Sequence, residues 1–141
     1  MTIIPDKAKK YQGLCVSRVP NLKGIECDTT AQITRRAQEQ MIVYLAGIVA
    51  QRLFNPRTCR NYHAETDYQN VLDLATYLML ENELDPFLAW MVKRTENLLR
   101  LGWKAVETLA AQLIQRRTIR GADAREIIRT APCEPRWETE R

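Results

Sequence analysis

Residues 29–56 read TTAQITRRAQEQMIVYLAGIVAQRLFNP, and this stretch decides the fold class. Its apolar positions recur at helical spacing, and Thr29 or Thr30 can cap the helix that they predict. The helix is expected to end near Phe54, since Pro56 disfavours helical geometry in the residue before it. The apolar positions are Ile33, Ala37, Met41, Tyr44, Leu45, Ile48 and Val49. A helix with so many apolar positions is expected to be largely buried.

A second helix is predicted to begin at residues 66–69 (TDYQ). This sequence matches a capping box in which Thr66 is the cap and Gln69 reaches back to it. The predicted inward stripe consists of Ala64, Asp67, Val71, Leu74, Ala75 and Leu78. An aspartate in line with apolar residues is the most unusual feature of this pattern, because a buried carboxylate needs a partner.

The remaining pattern predicts more helices. An acidic break at residues 81–85 precedes Pro86, which is suited to the first turn of a third amphipathic helix. Gly102 interrupts or thins this pattern, which then resumes and stops at residues 118–121. A short last helix is expected over residues 123–130.

The amino-terminal region predicts a small amount of β-structure. Residues 2–4 and 14–16 are short β-rich runs that favour a hairpin. The predicted fold class is therefore mainly α, a helical bundle with a small N-terminal β-hairpin. We expect one helical domain over residues 1–131 and a flexible tail over residues 132–141.

Composition narrows the class of protein. The chain has 141 residues, 45% hydrophobic residues and a net charge of +4, which fits one compact domain. Its longest uncharged stretch, residues 40–51, is shorter than the roughly twenty residues that a membrane-spanning helix needs. Residues 1–10 contain three lysines and an aspartate where a signal peptide has its apolar core, which predicts a cytoplasmic protein.

Several binding chemistries are disfavoured. No G-x-x-x-x-G-K-[ST] run is present, so no ATP site is expected in this chain. The four cysteines form no C-x-x-C pair and are expected to be reduced and structural. The arginines of residues 116–129 alternate with Asp123 and Glu126 and lack interleaved aromatic residues, which argues against nucleic-acid binding. We expect the chain to bind a protein or a peptide, and binding to further copies of the same chain would give a homo-oligomer.

Asp67 is the candidate site residue, and two interpretations of it remain open. A carboxylate in the first helical turn interacts favourably with the helix dipole, by about 0.3–1 kcal/mol. An inward carboxylate can also be a metal ligand or a general base. The only histidine, His63, lies one turn earlier, and one histidine with one aspartate does not complete a catalytic zinc site, which needs three protein ligands.

Five short segments, in their order and spacing, resemble a known family. Residues 2–5 (TIIP) look like a strand after a zinc-binding helix, and Gly13 opens what looks like the next strand. Residues 45–53 (LAGIVAQRL) resemble a helix with the sequence Leu-Gly-Gly-Arg-Ala-Ala-Glu-Glu-Leu. Residues 64–67 (AETD) resemble an Ala-Ser-Asn-Asp segment, and residues 118–121 (TIRG) resemble a Thr-Leu-Asp-Gly turn. Together they resemble the protease domain of the FtsH-type, membrane-anchored AAA+ zinc metalloproteases over most of the chain.

The resemblance implies an ATP-dependent zinc metallopeptidase domain in which Asp67 is the third zinc ligand. The family's other two ligands and its general base lie in a His-Glu-x-x-His helix that would precede Thr2, and this sequence contains no such motif. Zinc is therefore expected only if that helix is supplied upstream, and no residue here is assigned a catalytic role. The ATPase ring of the family would have to be a separate protein.

Other departures from the family pattern fall within the matched segments. Ile48 replaces an arginine, Gln51 and Arg52 replace two glutamates, and His63 replaces a glycine. The sequence is compatible with a truncated protease domain and with a degenerate relative, or pseudo-protease, that has lost its chemistry. The alternative function is a noncatalytic protein-interaction module, because loss of a packed helix exposes apolar surface and such surfaces mark interfaces.

Overall fold

The computed structural model describes residues 1–4, 31–58 and 65–132, and these residues are mainly helical, which confirms the coarse fold class. The helices in these ranges are α1 (Ala31–Phe54), α2 (Glu65–Leu78), α3 (Glu81–Leu101), α4 (Trp103–Arg116) and α5 (Gly121–Thr130). A short 3-10 helix at Pro56–Thr58 follows α1. No helix in the described ranges is long and apolar enough to cross a membrane.

The chain divides into two compact units. The first contains residues 31–58 and 65–99, which form α1, α2 and most of α3. The second contains residues 1–4 and 100–132, including α4 and α5. The single domain over residues 1–131 stays a prediction, and nearly all of the expected tail lies outside the described residues.

The core of the first unit is a cluster of side chains from three helices. α1 contributes three of them at successive i, i+4 positions, as its periodicity predicts. The core residues are Met41, Leu45, Val49, Val71, Ala75 and Met91, and none is more than 4% exposed. Burial of a large apolar side chain stabilises a fold by about 1.5–3 kcal/mol, so this cluster is what holds α1, α2 and α3 together.

Two polar side chains are also buried. The hydroxyl of Thr95 donates a hydrogen bond to the carbonyl oxygen of Met91 over 2.8 Å, so it is satisfied within α3. The Oε1 atom of Gln40 has no hydrogen-bond partner in the part of the chain that the structure describes. A buried unpaired polar atom costs about 1–3 kcal/mol, which makes Gln40 a local weak point of α1.

Three helices begin earlier than their sequence patterns predict, and one of them is α5, which begins at Gly121 instead of residue 123. α2 begins at Glu65, so Thr66 lies inside the first turn and is not the predicted cap. α3 begins at Glu81, so residues 81–85 are helical rather than a break, and Pro86 lies in the second turn instead of the first. Acidic residues favour a helix start because the free N–H groups there carry partial positive charge.

A local cap accounts for the early start of α3. The backbone N–H of Leu80 donates to the carboxylate of Glu83 over 3.5 Å, and the N–H of Glu83 donates to the carbonyl oxygen of Leu80 over 2.9 Å. The first bond is the half of a capping box in which the third residue of the helix reaches back, and the second is a backbone bond of the first turn. Pro86 cannot donate to the carbonyl of Asn82, but Asn82 is exposed and water can replace the missing donor.

The ends of α4 follow the predicted breaks. Gly102 interrupts the helical pattern between α3 and α4, with φ −100° and ψ 15°. After α4, Arg117 adopts the left-handed conformation with φ 57°. Its N–H donates to the carbonyl oxygen of Leu113 over 2.7 Å. A left-handed residue with this hydrogen bond is a common way for a helix to end.

The amino-terminal residues pair with the segment between α4 and α5. Thr2 forms an isolated antiparallel bridge with Thr118, and their hydroxyl groups are 2.9 Å apart. The N–H of Ile3 donates to the carbonyl oxygen of Arg117, and the N–H of Ile119 donates to that of Met1, both over 3.0 Å. Residues 14–16 lie outside the described residues, so the N-terminal hairpin stays a prediction.

Replacement of Arg117 by glycine is expected to stabilise the protein. An L-residue in the left-handed conformation costs about 1 kcal/mol, and glycine avoids this cost. We expect Arg117→Gly to raise the free energy of unfolding by up to about 1 kcal/mol in urea titrations followed by circular dichroism. Arg116→Gly, one residue earlier and helical, should lower it by about 1 kcal/mol. A loss of stability in both variants would contradict the assignment of strain to Arg117.

Candidate functional site

Asp67 lies in the first turn of α2, on the side of the helix that enters the core. Val71 and Ala75 follow it at i+4 and i+8, and both are completely buried. Leu74 and Leu78, also in the predicted stripe, are half-buried. Asp67 itself is exposed, so its predicted inward position is wrong. Asp67 is exposed because the side chains on this side of α2 are buried only from Val71 onwards.

The environment of Asp67 nevertheless affects its charge. Loss of water around the carboxyl group raises the pKa of Asp67 above its ordinary value. A role limited to the helix dipole, or to pairing with a cation, would favour the charged form and lower the pKa. The carboxyl group is thus accessible, and its partial loss of water favours the neutral form.

The described residues do not form a zinc site. Within residues 1–4, 31–58 and 65–132, no three histidine, cysteine, aspartate or glutamate side chains are grouped so that they could hold a metal ion. Zinc in a catalytic site needs three protein ligands, so Asp67 could provide one position at most. His63 lies outside the described residues.

A cleft in the first unit is a separate feature that the sequence patterns did not predict. It encloses about 810 Å³ between α1, α2 and α3. Its apolar lining consists of Leu45, Ile48, Val71, Leu88, Ala89 and Val92. Its polar lining consists of Arg52, Glu65, Tyr68, Gln69 and Asp85. Asp67 is not part of the lining.

Two of the departures from the family pattern line this cleft. Ile48 stands where the resembled family has an arginine, and Arg52 stands where it has a glutamate. The first exchange adds apolar surface to the cleft and the second reverses a charge. The one signal in the sequence that could have indicated the cleft is this pair of exchanges, one helical turn apart on the predicted first helix.

The segments that carry the resemblance have distinct places in the structure. Residues 45–53 lie in α1, residues 65–67 begin α2, and residues 118–121 connect α4 to α5. Residues 2–4 hydrogen-bond with residues 117–119, so two of the matched segments meet although they are far apart in the sequence. Gly13 and Ala64 lie outside the described residues.

Comparisons with protein-family models, curated proteins and solved structures found no match to this chain. Inferences about the site therefore rest on the residues and their geometry.

Replacement of Asp67 by asparagine is expected to leave the protein at least as stable at neutral pH. The raised pKa means that the charged form is disfavoured in the folded state. As pH falls from above this raised pKa towards the pKa of the unfolded chain, wild type should gain stability relative to Asp67→Asn. Urea titrations at neutral and acidic pH measure this difference.

The matched control is Asp73→Asn, at an exposed position of the same helix. It reports the general effect of removing a carboxylate from α2. A clear loss of stability for Asp67→Asn at neutral pH, with no such loss for the control, would mean that Asp67 is a structural residue of the helix start.

Proposed function

We propose that the chain is an FtsH-type, zinc-metallopeptidase-like domain and that the given sequence contains only part of the catalytic site. Asp67 is its remaining metal-ligand position, and the other ligands belong to a His-Glu-x-x-His helix that this sequence lacks. The resemblance of five ordered segments supports the proposal. Peptide hydrolysis by these residues alone is not expected, because the sequence contains no His-Glu-x-x-His motif.

The observation that carries this proposal is the placement of Asp67. The matched segment begins a helix, and its aspartate is accessible in the first turn with a raised pKa. An accessible carboxylate at the position that the resemblance assigns to a zinc ligand is compatible with that role.

Two origins of the incomplete domain remain, and one measurement separates them. The intact mass of the protein isolated from its native cells can be compared with the 16.4 kDa of this chain. A product heavier by the mass of a helix would identify a truncated sequence and direct attention to proteolysis. A product of the same mass would identify a degenerate relative and direct attention to binding partners.

Zinc binding provides the direct test. The isolated chain is expected to bind no stoichiometric zinc and to leave peptide substrates intact. A fusion protein with a His-Glu-x-x-His helix joined before Met1 should bind zinc, and Asp67→Ala should weaken this binding by at least about tenfold. Metal analysis after dialysis and competition with a chelator measure both quantities.

Asp73→Ala in the same fusion protein controls for the loss of a carboxylate from α2. Circular dichroism verifies that the added segment is helical. A helical fusion protein that binds no zinc, or that binds it equally without Asp67, would contradict the proposal.

A noncatalytic protein-interaction module is the second candidate function, and one surface favours it. Val43, Gly47, Ala50 and Phe54 follow each other at helical spacing and form the outer face of α1, opposite Leu45. Val43 is 54% exposed and Phe54 is 81% exposed. No atom lies within 4 Å of the place where a side chain would begin at Gly47. The outer face thus has room for another helix to approach closely.

A hydrophobic dye tests this second function. We expect the wild-type chain to increase the fluorescence of such a dye and Val43→Lys to reduce the increase, because the lysine puts a charge in the outer face. Ala111→Lys, at an exposed position of α4, is the matched control and should have no effect. An equal signal from wild type and Val43→Lys, or no dye binding by wild type, would exclude the outer face as an apolar binding surface.

A further inference from the structure

α3 carries a partly exposed aromatic surface that neither proposed function uses, and Phe87 in it is half-buried and also packs against the core of the first unit. Phe87, Trp90, Arg94 and Leu98 follow each other at i, i+3, i+7 and i+11 and share one side of the helix. We name these four residues the α3 seam. Trp90 is 47% exposed and Leu98 is 46% exposed. The seam lies beside the buried side of α3, which Met91 and Thr95 define.

The side chains of the seam are ordered by contacts with each other. The rings of Phe87 and Trp90 are stacked, with centroids 6.2 Å apart and planes inclined by 25°. The guanidinium carbon of Arg94 lies 5.4 Å from the centroid of the Trp90 ring, within the range of a cation–π interaction. Tryptophan and arginine are the residues that most often dominate binding at protein interfaces. An ordered anchor of this kind loses little conformational freedom when a partner binds.

The charges along α3 are arranged with opposite signs at its two ends. Glu81, Glu83 and Asp85 lie in the first part of the helix. Arg94 and Arg100 lie in the last part, where Lys93 and Glu96 form an ion pair of 3.2 Å. Of these residues, only Glu83 and Arg94 lie on the side of the seam, and a second α3 placed antiparallel would bring Glu83 of each helix near Arg94 of the other. A parallel arrangement would bring like charges together.

The seam is also symmetric about its centre. Phe87 and Arg94 are equally far in sequence from the midpoint between Trp90 and Met91. In an antiparallel pair centred there, each Phe87 lies beside the Arg94 of the other copy, and the two Trp90 rings lie close to the twofold axis. A surface that matches itself in this way is what a twofold-symmetric dimer requires.

We infer that the α3 seam binds the α3 seam of a second copy of this chain in an antiparallel, twofold-symmetric dimer. The acidic first part of α3 makes a phosphate backbone a poor occupant of the same surface. The seam offers a few hundred Å² per copy, so the buried total is below the roughly 1,000 Å² that a stable specific interface buries. The dimer is therefore weak and reversible, and its population depends on protein concentration. This inference is independent of the metal-ligand role of Asp67.

Sedimentation velocity or light scattering of the whole chain, over a wide range of concentration, tests the inference. The mass should rise with concentration from 16.4 kDa towards twice that value. Trp90→Ala should weaken the association by at least about tenfold, because it removes the central anchor. A chain that remains monomeric at every concentration would overturn the inference, and so would a dimer that Trp90→Ala leaves unchanged.

A charge exchange tests the antiparallel arrangement without relying on Trp90. Glu83 lies on the same side of α3 as the seam, one turn before Phe87, and faces the end of the partner helix that carries Arg94. Arg94→Glu alone should weaken the dimer by at least about tenfold. The combination of Glu83→Arg with Arg94→Glu should restore part of the association, since the charge pairing returns whereas the contact of Arg94 with Trp90 does not. Circular dichroism verifies that α3 stays helical without the cap from Glu83. Arg125→Glu, on α5, is the control and should change nothing. A double variant as weak as Arg94→Glu would overturn the antiparallel arrangement, since the two residues are too far apart on one helix to pair within a copy.

Discussion

The packing of α1 against α2 is the interaction on which the first unit depends. Leu45 and Val49 of α1 share one buried cluster with Val71 and Ala75 of α2, and Met91 of α3 completes it. α1 and α2 each contribute residues at i and i+4, so their apolar sides face each other. This packing also determines where the first turn of α2 lies, and therefore where the carboxylate of Asp67 is presented.

α1 has more apolar surface than this packing uses. Its inner side is buried in the core, whereas Val43 and Phe54 are exposed and the space at Gly47 is open. A helix that is apolar on most of its sides is normally surrounded by other elements. The protein-interaction function uses this property, because a helix of another protein could cover the exposed side of α1.

The second unit is connected by contacts between residues that are distant in sequence. Residues 1–4 pair with residues 117–119 through backbone hydrogen bonds, and Ile119 is 2% exposed. The left-handed conformation of Arg117 directs the chain out of α4 so that Thr118 can meet Thr2. No local pattern around either threonine contains this information, since backbone pairing of this kind depends on where the two segments are brought in space.

The sequence by itself determined the helical class, the extent of α1, the break at Gly102 and most of the buried positions, because helical periodicity and chain breakers are local properties. It also indicated Asp67 as a residue of interest. The tertiary structure decided that Asp67 is exposed, that Thr66 lies inside α2 and that Pro86 lies in the second turn of α3. It also decided that Ile48 and Arg52 line a cleft with residues of α2 and α3. Burial and the lining of a cleft depend on which elements pack beside a residue, and the positions of those elements are set by contacts between distant parts of the chain.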